Sequence, residues 1–97
     1  MSAREFFIVV AYDISSNHRR NKLVKVIKDY GVRVNYSVFE CLVSKTEISE
    51  LKSRVKEVIQ PGKDCVLYYE LCRNCLVKRE FTGSCQPPME WPGLVKA

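Results

Sequence analysis

No stretch of this 97-residue chain stays apolar long enough for a membrane-crossing helix, and no segment repeats another. An integral helical membrane protein and a solenoid are excluded on those grounds. Histidine is scarce, with His18 alone, and Cys72-Arg73-Asn74-Cys75 has no second pair of the same spacing. A structural zinc site needs four ligands, so that pair closes one only if the fold brings Cys65 and Cys85 to it. The apolar stretch near the start is not expected to be an export signal: it is short, follows Glu5, ends in Asp13 and lacks an evident small-residue cleavage site. The expected compartment is the cytoplasm, and the five cysteines, Cys41, Cys65, Cys72, Cys75 and Cys85, are read as reduced thiols. Acidic residues are also in deficit, 11 against 16 basic ones, for a net charge of +5. That balance points to an anionic partner, nucleic acid first, with an acidic protein or an anionic membrane behind it.

What the chain does have is a core. Its 46% hydrophobic content excludes disorder, and its length gives one domain, small enough that a dimer interface would help stabilise it. The run Phe6-Phe7-Ile8-Val9-Val10-Ala11-Tyr12 delivers one carboxylate, Asp13, at its end. Aspartate is disfavoured in strands and costly to bury, so a buried strand ending there presents a group with work to do. With Arg19, Arg20 and Lys22 close behind, Asp13 suggests a metal ligand beside a phosphate-binding surface. The alternative is an aspartate that only starts a turn or caps the next helix.

Periodicity orders the rest. Leu23, Val26, Ile27 and Tyr30 share one face of a helix over about 19–30, with Lys22, Lys25 and Lys28 opposite; Ser16 or Asn17 caps its start and Gly31 its stop. Residues 32–43 read as two strands joined near Ser37. Ser44-Lys45-Thr46-Glu47 is a capping-box pattern opening a second helix with Ile48, Leu51, Val55, Val58 and Ile59 on one face, ended by Pro61-Gly62. Cys65 to Leu71 reads as the last core strand. The order βαββαβ predicts an α+β, ferredoxin-like domain over 1–82, with two helices on one face of an antiparallel sheet, and a Pro-rich tail over 83–97. The bare sheet face needs a cover, and a second copy of the chain is the expected one, with Leu76 to Gly83 adding a strand to the partner's sheet. In the tail, Trp91 and Leu94 are expected to dock on the dimer or on a partner protein.

Val10-Ala11-Tyr12-Asp13-Ile14, Arg19-Arg20-Asn21-Lys22, Tyr30-Gly31-Val32-Arg33-Val34-Asn35-Tyr36-Ser37-Val38-Phe39-Glu40 and Tyr69-Glu70-Leu71-Cys72 carry a resemblance. Together, over about residues 6–80, they resemble the small CRISPR-associated endoribonuclease family of the spacer-adaptation module. The resemblance implies a two-fold homodimer packed sheet to sheet, with Asp13 of each subunit binding magnesium near the axis. It also implies that Tyr12 joins Asp13 in catalysis, that Arg20, Lys22, Arg33 and Phe39 contact RNA or duplex DNA together with Arg19, and that the CRISPR integrase is a partner. Lys22 stands where relatives can carry arginine and Asn35 where glutamine is common. Magnesium suits a site so poor in ligands, since it keeps several waters and binds through one or two carboxylates plus substrate phosphate.

The same residues admit plainer roles. Phe39 fits a core or a dimer interface as well as a base stack, Arg33 the carbonyl end of the preceding helix, and His18 a surface loop instead of a general base. Three functions follow from the same surface: a metal-dependent endonuclease, a non-catalytic DNA-binding dimer that bridges integrase subunits, or a toxin-like ribonuclease of similar fold.

Overall fold

The computed structural model describes residues 6–71, 80 and 82. Its elements are β1 (Phe6–Asp13), α1 (Asn17–Lys28), β2 (Gly31–Asn35), β3 (Val38–Val43), α2 (Lys45–Val58) and β4 (Cys65–Leu71). The strands form one antiparallel sheet in the order β2-β3-β1-β4, so the most apolar strand, β1, lies inside it. The expected βαββαβ fold is therefore present. The expected strand within 76–83, the tail over 83–97 with Trp91 and Leu94, and Cys72, Cys75 and Cys85 fall outside the described residues, Glu80 and Thr82 apart. Among the described residues no helix is long and apolar enough to cross a membrane.

Strand alternation divides the sheet into two faces. Ile8, Val10 and Tyr12 of β1 join Phe39, Cys41 and Val43 of β3 against Leu23, Val26 and Ile27 of α1 and Leu51 and Val55 of α2. The helices thus cover one face only. On the other, Phe7 and Leu42 make a small cluster with Val9 and Leu71 near the start of β1, while Val32, Leu67 and Tyr69 are 38%, 48% and 53% exposed. Asp13 stands on this second face, at the opposite end of β1 from Phe7.

Helix ends follow local chemistry. Ser16 caps α1, its hydroxyl accepting from the Arg19 N–H, and the Ser44–Glu47 box at α2 is closed in both directions. Gly31 corrects the sequence reading. The cap of α1 is Asp29 in ordinary right-handed geometry, and Gly31 opens β2 opposite Cys41. A Cβ there would lie 2.3 Å from the Glu40 carbonyl oxygen and 2.4 Å from Cys41 Sγ. Close approach of two strands, not a left-handed turn, is what demands glycine at this position.

Candidate metal and nucleic-acid site

Asp13 is the last residue of β1, paired across the ladder with Cys65. Its carboxylate is exposed and makes no hydrogen bond or ion pair with any described residue. A hard oxygen ligand without a partner among the described residues fits magnesium; a complete cage it is not. Among the described residues no three His, Cys, Asp or Glu side chains gather. Asp13 fits the ion only as one arm of a site completed by water, phosphate and a second carboxylate.

Behind Asp13 the chain is tied down by two arginines. Asp64, whose side chain is fully buried, accepts from Arg19 Nε at 2.6 Å and Nη2 at 3.1 Å, from the Ser15 N–H at 3.1 Å and hydroxyl at 3.2 Å, and from the Gln60 N–H at 2.9 Å. Five donors on one carboxylate satisfy it as a buried charge must be. The Arg19 hydrogen bonds, backed by the two N–H groups, hold the Asp64 carboxyl well below the usual range despite burial. Arg20 donates to the Ile14 carbonyl at 2.7 Å and to Asn17 Oδ1. The loop that follows Asp13 is therefore clamped to α1 and to the α2–β4 turn.

These contacts revise the basic set. Arg19 is spent on Asp64, leaving little charge for a phosphate, and Arg20 is half-buried on its loop. The cations of α1 without an acidic partner among the described residues are Lys22, Lys25 and Lys28, all exposed along the outer face, and His18 is exposed beside them. Nothing in the sequence flagged Asp64, though a lone acid just ahead of an apolar strand is the same signal that singled out Asp13.

Tyr12 and Asp13 point to opposite faces of the sheet, as successive strand residues must. The sequence reading counts Tyr12 as catalytic; in the structure its ring is buried, its hydroxyl donates to the Tyr36 carbonyl at 3.3 Å, and it accepts from Arg33 Nη2 at 3.3 Å. Its own N–H donates to the Ser37 carbonyl at 3.1 Å, so Tyr12 holds the β2–β3 turn against the Asp13 end of β1. Arg33 does not reach the end of α1. Its guanidinium lies 5.8 Å from the Phe39 ring and 5.9 Å from the Tyr36 ring, with a bulge in β2 just after it, and its buried Nε finds no acceptor among the described residues. Phe39 is 0% exposed and packs 6.3 Å from the Tyr12 ring. It has no open face for a base, and its place is the core under Arg33.

The family model for the CRISPR associated protein Cas2 matches residues 6–79. The chain belongs to the Cas2 family. A relative named CRISPR-associated endoribonuclease Cas2 3, from Synechocystis sp., is 38% identical over 87 residues, covering 90% of this chain and 92% of the relative. Among solved structures, a hypothetical protein, TT1823, from Thermus thermophilus superposes with a TM-score of 0.78 at 32% identity, covering 87% of this chain and 98% of that one. Streptococcus pyogenes Cas2 does so with a TM-score of 0.73 at 32% identity, covering 79% and 99%. The matched span in this Cas2 chain takes in every element described above, including β1 with Asp13 and the β2–β3 turn.

Proposed function

We propose that this Cas2 protein is a magnesium-dependent endonuclease of CRISPR adaptation, cutting phosphodiester bonds in single-stranded RNA, duplex DNA or both as a two-fold homodimer, and acting with the CRISPR integrase. The observation that carries the reading is the exposed Asp13 carboxylate, without a hydrogen-bond or ion-pair partner among the described residues, on the sheet face that the helices leave bare. Leu67, Tyr69 and Val32 on that face call for an apolar cover. A second copy would supply it by symmetry and, with the two-fold axis running along β1, would bring a second Asp13 to the same end. Held between two carboxylates and a substrate phosphate, magnesium would activate water and offset the charge that builds up as the bond breaks. This chain's own part is to fix the Asp13 backbone through Asp64, Arg19 and Arg20 and to draw the anionic strand through Lys22, Lys25 and Lys28.

A second reading, the non-catalytic DNA-binding dimer that bridges integrase subunits, is favoured by the absence of any three-ligand cluster among the described residues. One experiment separates the two. Highly purified protein is incubated with single-stranded RNA and with duplex DNA, with magnesium and with chelator, beside sedimentation at micromolar concentration. The endonuclease reading expects a dimer that cuts only with metal. A dimer that cuts neither substrate yet supports spacer integration with the integrase makes the bridge the function, and a fully active monomer removes the shared site.

A further inference from the structure

Tyr36 is the most exposed large hydrophobic residue described, at 73%, and neither the fold nor the site above has a use for its ring. It does not sit on the bare sheet face with Leu67 and Tyr69 but at the β2–β3 turn, beyond the end of both strands. Its backbone is nevertheless held by two hydrogen bonds, its N–H donating to Asn35 Oδ1 at 2.7 Å and its carbonyl accepting from Tyr12 Oη at 3.3 Å, and the neighbouring Ser37 carbonyl accepts from the Tyr12 N–H at 3.1 Å. The Arg33 guanidinium, itself seated on Phe39, lies 5.9 Å from the Tyr36 ring. With arginine on one side and most of the residue in solvent, an aromatic ring is braced in place with a face left open.

We propose that Tyr36 is a stacking subsite for one unpaired nucleobase at the Asp13 end of the sheet. Ala11 pairs with Val38, and Tyr12 is bonded to Ser37 and Tyr36, so the turn and the carboxylate share one end of the sheet. A flat apolar face beside a fixed cation is complementary to a base joined to a phosphate, and stacking accepts any base because each has a π-face. Bases inside a duplex have those faces covered by their neighbours, so the occupant is a single strand or an unpaired end. The inference deepens the nuclease reading and rests on its nucleic-acid ligand, not on its metal. It predicts that the strand is gripped next to the Asp13 end by a base as well as by phosphates.

The test measures binding of a short single-stranded RNA carrying 2-aminopurine, and of the matching duplex, to full-length wild type, Tyr36→Phe, Tyr36→Leu and Tyr36→Ala in chelator. The turn's bonds use backbone atoms of Tyr36, so all four should melt alike. Tyr36→Phe should keep affinity and fluorescence quenching; Tyr36→Leu and Tyr36→Ala should lose the quenching and about 5- to 100-fold in single-strand affinity, with duplex binding unchanged. Equal binding by all four overturns the inference alone, as does an equal loss for strand and duplex. A shift of Tyr36→Ala from dimer to monomer overturns it in favour of a ring buried against a second copy. Wild type that binds no single strand overturns it together with the RNA substrate, whereas normal binding without metal-dependent cleavage leaves the subsite standing and removes only the catalytic reading.

Discussion

Gly31→Ala is the substitution in which the fold and the site are most tightly linked. Two effects compete. Alanine restricts the unfolded chain, a gain of about 0.4–1 kcal/mol where the native backbone accepts it, and Gly31 has no left-handed φ to forbid that. Against this, the new Cβ would meet the Glu40 carbonyl oxygen at 2.3 Å, 0.7 Å inside the 3.0 Å that real Cβ atoms keep. Cys41 Sγ, at 2.4 Å, can turn away by rotating χ1; a ladder carbonyl cannot. Edge strand β2, bonded only to β3, must therefore back off, and overpacking of this kind costs about 1–3 kcal/mol. At the middle of the two ranges the clash wins, with a net loss of about 1.3 kcal/mol, or about 5–10 °C in Tm for a domain of this size. Arg33 rides on the same strand two residues later, so its 3.3 Å bond to Tyr12 should go with it. Thermal unfolding followed by circular dichroism checks the first effect, and the second reads as weaker binding of single strands. A Tm equal to or above wild type would refute the reasoning.

Asp64→Asn should lower Tm near neutral pH. Because the folded state holds this carboxyl well below its unfolded range, the stabilisation is complete above the unfolded value and fades as pH falls toward the folded one; the Tm gap should be constant above about pH 5 and shrink below it, and a gap that widened in acid would contradict the pairing with Arg19. Lys22→Ala should reduce the slope of log affinity against log salt by about 1, whereas Arg19→Ala should lower Tm and leave the slope unchanged. Burial pushes the Cys41 thiol up to about 12, so at pH 8 iodoacetamide should modify exposed Cys65 and spare Cys41 in the folded protein; equal labelling in peptide maps would mean that β3 opens readily.

Features encoded within a few residues were legible in the sequence. The β-branched run of β1, the apolar stripe Leu23, Val26 and Ile27, and the Ser44–Glu47 box each state their structure locally, and the order of elements then leaves few topologies. Asp13 stands out in the sequence because an acid closing a buried strand departs from the local pattern. What escaped depends on register and long-range pairing. Gly31 reads as a helix stop until its partner across the ladder is known, and Arg19 reads as a phosphate ligand until Asp64, 45 residues on, is seen to consume it. Arg33 and Phe39 belong to one stack with Tyr36 whose geometry is set by the β2–β3 pairing, so neither the exposed ring nor the buried one can be told apart from the sequence.

The claim that the Asp13 carboxylate supports chemistry is tested most directly by comparing wild type with Asp13→Asn, purified side by side, for cleavage of single-stranded RNA and duplex DNA in magnesium. An amide keeps the shape but ligates the ion poorly and cannot neutralise it. The expected result is loss of metal-dependent cutting in Asp13→Asn with nucleic-acid affinity largely retained, since the proposed phosphate contacts of Lys22, Lys25 and Lys28 are left in place. Equal cleavage by the two proteins would contradict the account.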